Sequence, residues 1–557
     1  GSYLMIKTPL STVIGGAFWT PGATIIGSSS KNLTQLIKSI FATGEQGFAY
    51  DPNDLTTLYQ DANGTIPVTA AGQPVGLMLD KSKGLMLGNE ILSGGNFEGG
   101  LILTKIDEPS AISTWTLNTN NPISGLQDGL LSVTQAASGR PALYAPSLQS
   151  KQGAYEEVSF DYKVISGSAN VSGIYTGGGV AVINKALSGT GRFTCRYLRT
   201  GIDPGIYIYF GNTLGNVQID NISVKQILGN HAYQTVSASR PILQQTPILG
   251  SELIQDTGFN DAAYWAMNAA TINVSGGFAN FVSAGTGHNI NRPNIITLGK
   301  TYQLTFTITS ISTGAIRPSI STGTGSLLLG DFNKVGTYTV RGMASGFVPT
   351  IQLTAIGTID ATVDNISVKE VTGYHTDQNY LAFDGVDDFL QTNNIDFTAT
   401  DKVSLFAGVR KLSDVSAGVL CELSTSVANV GSFLIAAPPV SGESTYSTGS
   451  NLGVLAVIKT ANIYLAPISN VLTTIADGSK PSLRLRVNAL TVTDNTQSQG
   501  NGKYGNYPFY IGRRGGASLP FSGHLYSLIG IGRLTTDSET ITLEKAIAKN
   551  TGVTLNV

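Results

Sequence analysis

The hexapeptide Asp220-Asn221-Ile222-Ser223-Val224-Lys225 returns unchanged at Asp364-Asn365-Ile366-Ser367-Val368-Lys369, 364 − 220 = 144 positions later. The match extends downstream, where Gly229, His231 and Gln234 fall on Gly373, His375 and Gln378 at the same offset. Upstream, the alternating run Val158, Phe160, Tyr162, Val164 falls on Tyr302, Leu304, Phe306, Ile308, and GRFTCR from Gly191 meets GTYTVR from Gly336 after a slip of one residue. The openings LGNEILSGGNFE (from Leu87) and LGSELIQDTGFN (from Leu249) correspond at 249 − 87 = 162, so the second copy is shorter in its first half. One module is written twice, and a repeat of this length organises the reading of everything around it.

Inside each copy, apolar residues alternate with Thr, Gln or charged residues at a period of two, the pattern of strands with one face in a core. The 66 glycines and low charge (13% Asp, Glu, Lys and Arg) leave Ser, Thr, Asn and Gly to fill the surface. Such a composition suits short strands joined by tight turns, because Gly and Asn tolerate positive φ and Thr fits a pleated surface. The chain of 557 residues is too long for one core. We expect an all-β, multidomain protein of antiparallel sandwiches.

The expected organisation is an N-terminal region over 1–86, module 1 over 87–228, a linker over 229–248, module 2 over 249–372 and a last domain over 373–557. The spacing of Leu33, Leu36, Ile37, Ile40 and Phe41 predicts one helix ended by Gly44, with an apolar stripe suited to docking or oligomerisation. A T-x-x-E capping box at Thr536 and Glu539 opens a second helix, which Asn550-Thr551-Gly552 stops.

Net charge is −2, from 34 basic and 36 acidic residues without blocks of either, so nothing marks a surface for nucleic acid or anionic membrane. No apolar run approaches a membrane span, and the first residues lack the charged-then-apolar pattern of a secretory signal. Cys195 and Cys421 lie far apart, at positions that alternate with core residues, and imply no disulfide. His231 and His375 stand without cysteine or acid at metal spacing and suit backbone hydrogen bonds at the junctions.

Three stretches carry a resemblance. GFAYDPNDLTTLYQDANGTIPVTAAGQPVGLMLDKSKG (Gly47–Gly84) is similar to a segment near the N-termini of tail and other virion proteins of phages and prophages of Gram-negative bacteria. The NEILSGGNFE opening, Trp115 or Trp265 after it, and the closing DNISVK resemble carbohydrate-binding jelly rolls. YLAFDGVDDFL from Tyr380 and FSGHLYSLIGIGRLTTDSETITLEKAIAKNTGV from Phe521 resemble the concanavalin-like (laminin G-like) sandwich. The resemblance implies two tandem jelly rolls and a C-terminal concanavalin-like domain, behind a small N-terminal attachment region with one helix. It also implies a phage tail fibre or receptor-binding protein, a homotrimer held to other tail or baseplate proteins, located in the virion and facing bacterial surface polysaccharide.

The resemblance to calcium-binding jelly rolls implies a structural calcium shared by Glu90, Glu98 and Asp220 in module 1 and by Glu252, Asp261 and Asp364 in module 2. On the residues alone, Asp220 and Asp364 equally suit the turn before the closing strand. Asp384, Asp387 and Asp388 crowd one glycine and suit either a metal loop or a turn. Sugars are held by aromatic faces with amides, hydroxyls and Arg around them. Tyr504, Tyr507, Phe509, Arg513 and Arg514 in KYGNYPFYIGRRGG are a compact set of those kinds, with hairpin packing as the alternative reading. Glycosidases of concanavalin-like fold carry an E-x-D-x-x-E strand that is missing here, so no enzymatic activity is expected. Glycan recognition is the leading expectation. A purely structural virion protein is second, and an envelope polysaccharide depolymerase third.

Overall fold

In the computed structural model the described residues are 12–14, 17–19, 32–92, 116–118, 131–134, 142–145, 153–167, 169–175, 180–199, 206–210, 215–323 and 327–555. They are all-β apart from two α-helices and short 3-10 turns, and they form three sandwiches. Among them no helix is long and apolar enough to cross a membrane.

The repeated hexapeptide is the closing strand of each of the first two sandwiches, and its first two residues make a bulge. In module 1, Ser223 faces Ser159 and Asp220 faces Asp161, so Asn221 and Ile222 together oppose Phe160. In module 2, Ser367 faces Thr305 and Asp364 faces Thr307, so Asn365 and Ile366 oppose Phe306. The extra residue needs a left-handed backbone. Asn221 has φ 49° and Asn365 φ 53°, and Asn tolerates that region better than most side chains. The preceding carboxylate accepts the Asn backbone N–H, at 2.7 Å from Asp220 and 2.6 Å from Asp364. Beyond the bulge the strand turns Ile222 and Val224, or Ile366 and Val368, into the core of its sandwich.

The structure also shifts the alignment of the two copies. Val158 faces Val224 while Leu304 faces Val368, so Val158 corresponds to Leu304 and Phe160 to Phe306, two residues from the pairing read in the sequence. Because side chains repeat every two residues, a slip of two keeps the same face inward and leaves the alternation unchanged.

The larger departure concerns residues 32–86 and 229–248, which are neither a separate attachment region nor a linker. Gly47–Tyr50 pairs antiparallel with Ser522–Ile531, from Gly47 opposite Ile531 to Tyr50 opposite Leu528. Leu58–Tyr59, Leu77–Met78 and Ala232–Tyr233 extend the other sheet, beside Leu390–Asp396, Asn506–Ile511 and Val419–Leu423. Phe48, Tyr50, Leu58, Val68, Val75, Met78, Ala232 and Leu243 lie in one core with Leu381, Leu405, Phe433, Phe509 and Leu528. The last sandwich therefore gathers residues from both ends of the chain, and the two modules are insertions within it.

The first helix, Leu33–Ile40, is capped by Asn32 with Gln35 and buries Leu33, Leu36, Ile37 and Ile40. That stripe docks within the same chain, against Phe406, Val471, Ile529 and the last helix, Asp537–Thr551. Gly408 permits the close approach of the last helix to the sheet, since a Cβ there would stand 2.3 Å from Thr551 Oγ1 and 2.8 Å from Ile547.

Module 2 joins the last sandwich by a continuous ribbon. Ile359–Asp384 pairs first with Phe278–Ala284 and Thr301–Ile311, then with Ser522–Ile531, and Ile242–Glu252 runs beside it from Ala382 to Lys369. Module 1 rests on the same sandwich through Tyr155, Leu198 and Ile227, packed on Leu77 and Leu79.

Candidate functional site

The aromatic set expected to hold a sugar does not form a platform. Strand Asn506–Ile511 lies between two neighbours in the middle of its sheet, and Phe509 and Ile511 point into the core. Phe509 is 0% exposed, with its ring centroid 4.2 Å from that of Phe48. Tyr504 is 1% exposed, packs edge-on to Phe433 and shares a 2.8 Å hydrogen bond with the Ser450 hydroxyl; burial raises its pKa. Tyr507 is half-buried against the core and donates its hydroxyl to the Val430 carbonyl at 3.1 Å. These three rings hold the sandwich together. Arg513 donates to the carbonyls of Asp387 (3.5 Å) and Ala517 (3.0 Å), and Arg514 pairs with the buried Glu422 at 2.9 Å. Burial raises the Glu422 pKa, against the pull of the Arg514 guanidinium.

The residues expected to share calcium are equally committed. Glu90 accepts the Val224 N–H at 2.7 Å and the Ser223 hydroxyl at 2.6 Å. Glu252 repeats this with the Val368 N–H at 2.7 Å and the Ser367 hydroxyl. Each glutamate thus ties the first strand of its module to the closing one. Asp261 accepts the Ala263 N–H at 2.9 Å, and Asp220 and Asp364 serve the bulges. In module 2, Glu252, Asp261 and Asp364 do not converge on one point, whereas Glu98 of the module 1 set and Trp115 lie outside the described residues. Trp265 is a core residue, packed on Phe259 and donating Nε1–H to Asp256 at 3.0 Å.

Among the described residues, the three side chains whose ligand atoms converge as a cation would need are Asp384, Asp387 and Asp388, all within 4.8 Å of one another. This is the FDGVDDF turn at the start of the last sandwich. Asp384 accepts the N–H groups of Val386 (2.8 Å) and Asp387 (3.2 Å), Asp388 accepts that of Asp384 (3.1 Å), and Ser239 donates to Asp387 at 2.7 Å. Burial, reinforced by the neighbouring Asp384, pushes the Asp388 carboxyl up to about 7. The turn and metal readings therefore fall on the same atoms, since the hydrogen bonds that shape the turn gather the carboxylates.

The distinctive N-terminal stretch builds a buried polar network. Lys81 reaches Asp51 at 3.1 Å and Asp54 at 2.9 Å and donates to Thr34 at 2.7 Å, with its side chain only 4% exposed. Burial raises the Asp54 pKa, but the hydrogen bonds from Thr56 and Lys81 outweigh it and hold the carboxyl below its ordinary value. Next to it, Asp80 is fully buried and accepts N–H groups from Ala49, Ser82 and Asn230. Its own N–H goes to His231 Nδ1 at 3.0 Å, and His231 Nε2 meets the Ile227 carbonyl at 3.0 Å. Burial lowers the His231 pKa to about 4, so it is neutral at pH 7 and donates from Nε2. The DPND and DKSKG segments thus meet as counter-charges, and the junction histidine serves the backbone.

No family model matches the chain, and no curated protein matches it. Solved structures give partial likenesses. A carbohydrate-binding module (CBM40) of a Ruminococcus gnavus IT-sialidase, bound to alpha2,6 sialyllactose, is 14% identical over 26% of this chain and 84% of its own, with TM-score 0.22. A heptameric SAP-like pentraxin from Limulus polyphemus is 10% identical over 30% of this chain and 80% of its own, with TM-score 0.23. A CBM22 tandem from Paenibacillus barcinonensis Xyn10C is 12% identical over 46% and 92%, with TM-score 0.18.

Proposed function

We propose that the chain is a bacteriophage tail fibre or receptor-binding protein that recognises host cell-surface glycan and does not cleave it. The observation that carries this reading is the placement of Gly47–Gly84. The stretch that resembles virion proteins is an integral part of the last sandwich, supplying Phe48, Tyr50, Leu58 and Met78 to its core and Lys81 to its charge network. The virion-like signature therefore belongs to the body of the protein, and the duplicated modules are inserted into that body. In this reading the modules multiply or space binding faces, which raises avidity without any new contact. Three copies assemble on a tail or baseplate. The burial of Tyr504 and Phe509 favours a second reading, a structural virion protein with no receptor.

Gold-labelled antibody to the purified chain, imaged on particles of the phage or prophage that encodes it, separates the two readings. Label at a tail tip, together with block of adsorption by added chain, supports recognition. Label on an enclosed part of the tail, with adsorption unaffected, supports the structural reading.

A further inference from the structure

The ribbon that joins module 2 to the last sandwich carries a basic cluster on its outer face. His524 faces Ala382 on one strand and Arg410 on the other. Its ring stacks on Tyr380, centroids 4.0 Å apart and planes 18° from parallel, and Tyr526 packs against both at 5.1 and 6.4 Å. Tyr380 and Tyr526 are buried, so they form a fixed floor under the imidazole. Arg341 arrives from module 2, with Nε on Gln303 at 2.8 Å and Nη1 on the Tyr380 hydroxyl at 3.4 Å. Arg410 comes from the sandwich, with Nη1 on Ser469 at 3.4 Å.

Both guanidiniums are half-buried, and among the described residues neither forms an ion pair with a carboxylate. Their hydrogen bonds go to neutral groups, a short one from Arg341 Nε to Gln303 and long ones from Arg341 Nη1 to Tyr380 and from Arg410 Nη1 to Ser469, which leave most of the five donors of each fork uncommitted. His524 Nδ1 is buried and has no partner. Burial lowers the His524 pKa and the two nearby arginines lower it further, so the ring is neutral while the forks are charged. Two cations held half out of water beside an unsatisfied imidazole nitrogen, with no carboxylate paired to either among the described residues, are arranged for an anion supplied from outside. Guanidinium forks suit an oxyanion with two oxygens.

We propose that Arg341, Arg410 and His524 form a binding site for an oxyanion-bearing sugar, a carboxylate or phosphate unit of an envelope polysaccharide. The site spans the junction of module 2 and the last sandwich, which fixes the spacing of its two arginines. This rests on the glycan-recognition reading above and adds the chemical class of the glycan.

The test uses the full chain with polygalacturonate, a phosphomannan and neutral dextran as probes, read by calorimetry and by the rise in thermal midpoint on binding. The variants are Arg341→Gln and Arg410→Gln, each first shown to unfold at the wild-type temperature without probe. Saturable binding to an acidic polymer that falls about tenfold or more in either variant is expected, the scale of one lost charge-assisted bond. Preference for polygalacturonate assigns a carboxylate, and preference for phosphomannan a phosphate. Unchanged affinity in both variants, or binding to neither acidic polymer, overturns the proposal. If the variants still bind neutral envelope polysaccharide like wild type while acidic polymers are ignored, this inference fails and glycan recognition stands. If no polysaccharide of any kind binds, both fail.

Discussion

Replacing Lys81 with Met tests whether the signature stretch is structural. The Lys81 side chain is 4% exposed and lies between Asp51, itself 6% exposed, and Asp54. Methionine fills the same volume but removes the cation and leaves the buried Asp51 carboxylate beside the partly exposed Asp54 with no counter-charge. Breaking a buried pair by removing one partner costs roughly 3–5 kcal/mol, because the remaining charge is uncompensated. In a domain of this size each kcal/mol moves the melting temperature by about 2–4 °C, so the last sandwich should melt roughly 6–20 °C earlier. Calorimetry is the appropriate assay, since three sandwiches need not unfold in one transition. The loss should also depend on pH with a definite sign. In the wild type Asp54 is held below its ordinary pKa, so its contribution is complete above about pH 4 and fades as pH falls through the depressed value. In Lys81→Met the orphaned carboxylates favour protonation, so the penalty is full near pH 7 and shrinks as pH falls. The two stability curves should converge toward low pH. A loss below about 1 kcal/mol, or a gap that does not change between pH 7 and 4, would refute the buried ion pair as the reason for the charges in DPND and DKSKG.

Further outcomes follow from the same structure. A fragment of residues 374–557 should fail to fold, because it lacks Phe48, Tyr50, Leu58 and Met78, each contributing about 1.5–3 kcal/mol by burial; a cooperative melt of that fragment would contradict the split sandwich. Asn365→Ala should cost about 1 kcal/mol and Asn365→Gly close to nothing in denaturant titrations, since φ is 53° there; equal costs would sink the bulge argument. Asp388 titrates near 7 when folded and near 4 when unfolded, so folding is favoured most below pH 4 and stability declines as pH rises to 7. Asp388→Asn should remove that decline, by at most about 4 kcal/mol, and a slope unchanged in the variant would show that another group causes it.

The repeat was legible because the bulge demands particular chemistry: an Asp to accept the Asn N–H, an Asn at positive φ, and a Ser whose hydroxyl meets the first-strand glutamate. The register of the long strand was not, because alternation is blind to a shift of two. Both helices were readable from short-range spacing, as were the capping box of Thr536 and Glu539 and the Gly552 stop, but the first helix ends at Ile40 with Phe41 as its C-cap, ahead of the Gly44 expected to end it. The split of the last sandwich was hidden, as Glu45 meets Arg533 across 488 positions and no local pattern encodes such a pairing. The aromatic set misled for a different reason. Tyr507, Phe509 and Ile511 share one parity of a strand, and Ile511 on that parity signals the core, a cue in the sequence outweighed by residue type. Counter-charges in DPND and DKSKG were visible but had no visible meeting point. Arg341, Arg410 and His524 come from three separate strands, and only the fold assembles them.

The most direct measurement is binding of the full chain to a panel of Gram-negative envelope polysaccharides, neutral and acidic, with a melt recorded for every sample. Saturable binding to one member or a chemically related group, with a raised melting temperature, is the predicted result. A fully folded chain that binds none of them, in any oligomeric state it adopts, would contradict glycan recognition and leave the structural role in its place.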